Sequence, residues 1–91
     1  MEKYLISDSY TSDKLGEDMV LLNNEDLSSY LLNGTATEIY EIIKDNKNGI
    51  TFDDIVITLS ENYDVSLVTL KQDAERFLQN MCDFLIVKTD D

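Results

Sequence analysis

Around Asn33-Gly34 the spacing of apolar residues switches from a strand-like period of two to a helical period of three to four. Before that point the chain offers short runs separated by turn residues. After it come longer stretches that each carry one apolar stripe. Elements of both kinds must bury their apolar sides against each other, which selects an α+β fold. The expected form is winged-helix-like, an N-terminal three-stranded antiparallel sheet followed by three helices. The chain has 91 residues, no proline, no internal repeat and no low-complexity linker, so one domain over residues 1–91 is the expected organisation.

The strands are read from turn signals. Residues 9–15 form a weakly patterned first strand, and Gly16-Glu17-Asp18 a turn. Met19-Val20-Leu21-Leu22-Asn23 is a clear second strand, apolar on both faces. After Asn24-Glu25-Asp26, residues 27–32 make a third strand, with Ser28, Tyr30 and Leu32 on one face and Leu27, Ser29 and Leu31 on the other. As the last strand of the meander, it is a candidate edge.

Each helix has a start signal. Thr35 and Glu38 stand at capping-box spacing before a stripe of Ala36, Ile39, Tyr40 and Ile43. Thr51 precedes a second stripe of Phe52, Ile55, Val56 and Leu59. Ser66 precedes a third, of Leu67, Leu70, Ala74, Phe77, Leu78 and Met81. The run Phe84-Leu85-Ile86-Val87 is strand-like and is expected to pack back on the domain.

Charge and composition exclude several functions. The net charge of −12, from 19 acidic and 7 basic residues, argues against nucleic acid and anionic membranes, whose phosphates a binder must neutralise with Lys or Arg. The same charge permits a basic or mixed-charge polypeptide partner, and it also serves to keep the domain soluble. No apolar stretch approaches a membrane span, and the first residues lack a signal-peptide pattern. One cysteine, Cys82, allows no internal disulfide, which suits a reducing cytoplasmic setting.

Catalytic chemistry has little to work with. There is no histidine, which removes the commonest general base and metal ligand. Cys82 follows an apolar helix stripe and is expected to be a buried structural thiol. The three glycines are far apart, so no phosphate cradle exists. Residues 44–49 echo a calcium loop, but with Gly49 at the sixth position the first and twelfth are Lys44 and Ile55, and the required carboxylates are missing. Asp64-Val65-Ser66-Leu67 is one residue too long for a carrier protein's Asp-Ser-Leu tripeptide. No catalytic residue, metal or cofactor is expected.

The order of elements and several motifs resemble the PqqD family, named for pyrroloquinoline quinone biosynthesis, whose fold also serves as a precursor-peptide recognition element. The resemblance runs over roughly residues 10–87. Tyr30-Leu31-Leu32-Asn33-Gly34-Thr35-Ala36 looks like the family's Tyr-x-Leu-Asn-x-Thr-Ala junction, and Ile39-Tyr40 stands where the family has Ile-Trp. Phe52-Asp53-Asp54-Ile55-Val56 and Tyr63-Asp64-Val65 resemble its second helix and connector. Asp73-Ala74-Glu75-Arg76-Phe77-Leu78 resembles the Asp-Val-x-x-Phe-Leu of its third helix. Leu27 replaces a glycine usual before the third strand, and Cys82-Asp83-Phe84-Leu85 lacks the glycine of the usual ending.

The resemblance implies a non-catalytic protein that captures the leader of a ribosomally made precursor peptide by β-strand addition. It would present that peptide to a maturation enzyme, such as a radical S-adenosylmethionine (SAM) enzyme or a leader peptidase. The implied peptide site combines the edge residues Ser28, Ser29, Tyr30, Leu31 and Leu32 with Leu70, Lys71, Asp73, Ala74 and Phe77 of the third helix. An open edge also permits a homodimer. The alternative is a winged-helix transcription regulator reading DNA with the third helix. That helix sets Asp73 and Glu75 against Lys71 and Arg76, a poor basis for phosphate contact.

Overall fold

Two hairpins and three amphipathic helices form where the apolar periods place them. In this computed structural model, which describes residues 2–81 and 85–89, the elements in chain order are β1 (Lys3–Ile6), β2 (Tyr10–Leu15), β3 (Asp18–Asn23), β4 (Ser29–Leu32), α1 (Thr35–Lys44), α2 (Phe52–Asn62), α3 (Leu67–Met81) and β5 (Ile86–Thr89). The strands β2, β3 and β4 pair antiparallel in that order, so the expected α+β arrangement of a three-stranded sheet and three helices is present. Winged-helix-like describes it only loosely. Cys82 and Phe84 lie outside the described residues.

The register explains the burial. Val20 faces Leu31 across the β3–β4 ladder, and Leu21 faces Tyr30. Met19, Leu21 and Leu32 share one face and are buried. They join Ile39, Tyr40 and Ile43 of α1, Ile55, Val56 and Leu59 of α2, and Leu70, Ala74, Phe77 and Leu78 of α3 in one core. The helical stripes read from the sequence are therefore core stripes, with one exception. Leu67, the first residue of α3, is exposed.

A second sheet is absent from the sequence-based expectation. The strands β1 and β5 pair antiparallel, from Lys3 opposite Thr89 to Ile6 opposite Ile86. Tyr4 also exchanges backbone hydrogen bonds with Ile50, at 2.8 and 3.1 Å. Tyr4, Ile50, Leu85 and Ile86 are buried there. The C-terminal run does pack back on the domain, but as a partner for residues at the other end of the chain. No turn signal can announce a pairing between segments so distant in sequence.

Two backbone positions set the entry and exit of β4. Leu27 has φ +61°, a left-handed conformation that costs a side-chain-bearing residue about 1–2 kcal/mol. Its N–H donates to the Asn23 carbonyl at 2.9 Å and closes the loop between β3 and β4. Leu27 therefore belongs to that loop, and β4 begins at Ser29, two residues later than expected. Asn23 Oδ1 accepts from the N–H groups of Glu25 and Asp26. Asp26 Oδ1 accepts from the Ser28 N–H at 2.9 Å and from the Ser28 hydroxyl at 2.6 Å. Those bonds from Ser28 hold the Asp26 carboxyl below its ordinary value.

At the other end, Gly34 is the N-cap of α1, with φ 56° and ψ −130°, and no side chain caps the helix. Thr35 is the first helical residue, so the capping box read from Thr35 and Glu38 does not form. Asn33-Gly34 turns the chain so sharply out of β4 that the helix starts on a backbone conformation natural to glycine alone. The expected caps hold for the other two helices. Thr51 Oγ1 accepts from the Asp54 N–H at 3.3 Å, and Ser66 Oγ from the Thr69 N–H at 3.3 Å.

Three outcomes follow from these local costs. Leu27→Gly should raise stability by about 1 kcal/mol, a gain of roughly 4–8 °C in melting temperature for a domain this size. Thr37, buried in α1, has no hydrogen-bond partner for its hydroxyl among the described residues. Thr37→Val should stabilise by about 1 kcal/mol in chemical denaturation, because an unpaired buried hydroxyl is costly. Asp26 should titrate below 3.8 by NMR, and Ser28→Ala should move its midpoint upward. A folded-state value below the unfolded one means the carboxylate stabilises above pH 3.8, and that this contribution disappears as pH falls through the folded value.

Candidate functional site

The backbone of β4 is only half used. Asn23 donates its N–H to the Ser28 carbonyl at 2.8 Å, so the Ser28 carbonyl points toward β3, while its N–H is taken by Asp26 Oδ1. By the two-residue alternation of an antiparallel ladder, Tyr30 and Leu32 point their N–H and C=O groups toward β3, while Ser29 and Leu31 point theirs away. No strand lies on that side among the described residues. An edge of this kind accepts the backbone of any extended chain laid beside it.

Beyond the C-terminal end of β4 the edge meets a cleft of about 420 Å³. Asn33 and Thr35 form its strand-side wall, and Asp73, Arg76 and Asn80 its helical wall, while Ala36, Ile39 and Phe77 supply apolar floor. The cleft exists because α3 packs on α1 and α2. Asp73 is half-buried and Arg76 exposed, one helical turn apart. Neither forms an ion pair among the described residues. One carboxylate and one guanidinium thus flank an apolar floor. Nearby, burial and then the Glu38 carboxylate push the Tyr63 phenol above its ordinary value. A larger cleft of about 610 Å³ opens on the far flank, between β1, β2 and the end of α1.

The structure divides the site residues expected from the sequence. Ser29, Tyr30 and Leu31 lie exposed on the edge strand, and Ser28 sits in the preceding loop bonded to Asp26. Leu32 is buried, so only its backbone belongs to the strand's ladder. Lys71 is exposed on α3 and Asp73 lines the cleft. Leu70 and Ala74 are wholly buried in the core and have no surface to offer a ligand. Phe77 is mostly buried but shows its remaining surface to the cleft. Most of the helical stripe marks the face packed on α1 and α2, and Phe77 and Met81 at its margin also line the cleft. Arg76, Asn80 and Met81 line the cleft with Asp73 and Phe77 at helical spacing, a row one step around α3 from the core stripe. Ala36 and Ile39 were legible only as core.

Among the described residues, no group of three or more acidic or cysteine side chains is placed to hold a metal ion, and no helix is long and apolar enough to cross a membrane. No curated protein matches the sequence. Solved structures share the fold. The chain is similar to TbiB1 in complex with the TbiA(beta) leader peptide, with a TM-score of 0.73 and 23% identity over 85% of this chain and 86% of that one. It is also similar to lasso peptide synthetase B1 complexed with the leader peptide, with a TM-score of 0.71 and 19% identity over 87% of this chain and 89% of that one. The family model for coenzyme PQQ synthesis protein D (PqqD) matches residues 18–83, a span that contains β3, β4 and all three helices. The chain belongs to the PqqD family.

Proposed function

We propose that this chain, acting as one recognition domain over residues 1–91, captures the leader of a ribosomally made precursor peptide and presents it to a maturation enzyme. The leader adds as a strand along β4, with side chains reaching the cleft beside α3. The partner enzyme is of the kind that acts on such peptides, a radical SAM enzyme or a leader peptidase. The observation that carries this reading is the open edge of β4, with outward backbone groups at Ser29 and Leu31, followed directly in the chain by Asn33 at the wall of an apolar-floored cleft. The two solved structures of similar fold are complexes with leader peptides, which supports it.

Backbone pairing gives affinity without sequence, so selection rests on the cleft. Its floor suits one apolar side chain of the leader, and Asp73 and Arg76 suit charged or polar neighbours. The role is non-catalytic: the chain supplies binding and leaves the chemistry to its partner. A DNA-reading regulator is disfavoured, because α3 offers Lys71 and Arg76 beside Asp73 and Glu75 on a chain of net charge −12.

Calorimetric titration with leader peptides encoded beside the gene tests this reading. One leader should bind at micromolar affinity or tighter and lose at least tenfold when its apolar residues become alanine. Leu31→Pro removes an outward N–H and should abolish binding while far-UV circular dichroism stays helical. Tyr30→Pro removes an inward N–H and should destabilise the sheet itself. A folded Leu31→Pro variant with unchanged affinity would place the peptide elsewhere.

A further inference from the structure

The sheet has a second face, and it is not finished as a solvent face. An antiparallel sheet packed on one side normally turns polar residues to water on the other. Here Met19 and Leu21 point into the core, so Asp18, Val20 and Leu22 point out, as does Leu31 opposite Val20. Across β2, Asp13 faces Val20, Thr11 faces Leu22 and Leu15 faces Asp18. The outer face therefore carries Leu15, Val20, Leu22 and Leu31 among Thr11, Asp13, Asp18 and Ser29. Leu15 is 58% exposed, Leu22 38% and Leu31 61%. No described segment covers this face. A patch of branched apolar side chains on a small domain marks an interaction surface.

Charge says what kind of partner fits. The outer face bears two carboxylates and no cation, for the lysine of β2, Lys14, lies on the inner side and pairs with Glu41 at 3.0 Å. Glu17 stands in the turn at one end of the sheet, and Glu25 and Asp26 in the loop at the other. A second copy of this chain would bring the same acidic rim against this one. A protein with an apolar centre ringed by Lys and Arg meets both features at once.

We infer that the outer face of the β2-β3-β4 sheet is the docking surface for the maturation enzyme, through an apolar patch on that enzyme bordered by basic residues. The surface adjoins the open edge of β4, so a peptide held on that edge lies beside the docked enzyme. The identity of the partner as this enzyme rests on the peptide-capture reading; the surface and its chemistry do not.

The test uses the full chain, the purified maturation enzyme encoded beside its gene, and the leader peptide that the wild type binds. The Val20→Thr/Leu22→Thr pair keeps strand-compatible residues while removing the apolar centre. Its affinity for the enzyme should fall at least tenfold, with leader affinity unchanged. Asp13→Lys should weaken enzyme binding several-fold and reduce its dependence on salt. Unchanged enzyme affinity in both folded variants overturns the inference, as does failure of the wild type to bind the enzyme. Sedimentation showing a wild-type dimer that the double variant dissociates also overturns it, since the occupant would then be a second copy. Leader binding is measured separately, so a chain that binds the enzyme but no leader defeats the capture reading and leaves the docking surface standing.

Discussion

Half of β4's backbone hydrogen-bonding capacity has no partner within the described fold, and the candidate site depends on that deficit. The β3–β4 ladder satisfies Tyr30 and Leu32 and leaves the groups of Ser29 and Leu31 facing outward. A helix packed against that edge would have covered it. Instead α3 packs on α1 and α2 through Leu70, Ala74, Phe77 and Leu78, and the gap beside the strand stays open. The open edge and the cleft are thus two results of one packing choice.

The strand is kept short and held in place by conformations that are costly for most residues. Leu27 and Gly34 both have positive φ, one in the loop before β4 and one in the turn after it. Asn23 and Asp26 stiffen the preceding loop with side-chain bonds to backbone N–H groups. A short edge bounded by fixed turns exposes few free groups, which limits unwanted strand pairing while leaving room for one extended chain. Leucine at the left-handed position means the loop tolerates strain that glycine would relieve.

The two sides of the sheet use the apolar pattern differently. The inner side is the core. The outer side presents Leu15, Val20, Leu22 and Leu31 with carboxylates around them. The apolar run of β3, continuous rather than alternating, serves both sides at once. The chain's large negative charge then has a local meaning on that face, where apolar contact alone would favour self-association and acidic residues oppose it.

The three-stranded sheet, the three helices and the candidate edge were legible in the sequence, because each rests on a local period or a turn residue. Met19 and Leu21 alternate with Val20 and Leu22, and Thr51 and Ser66 cap their helices as their positions require. The family resemblance directed the candidate site to β4 and α3, and the fold leaves an open edge on one and a cleft against the other. Of the α3 residues the resemblance named, Leu70 and Ala74 are core, while Asp73 and Phe77 line the cleft with Arg76, Asn80 and Met81, since an apolar stripe looks the same in sequence whether it meets a helix or a ligand. The capping box at Thr35 failed because the tight turn at Gly34 moved the helix start by one residue. The β1–β5 sheet and the bridge from Tyr4 to Ile50 belong wholly to tertiary structure. Local sequence determines which segments are strands or helices and which side of each is apolar. Only the folded chain decides which apolar sides meet, which distant strands pair and which surfaces are left uncovered, because those outcomes depend on contacts between residues far apart in sequence.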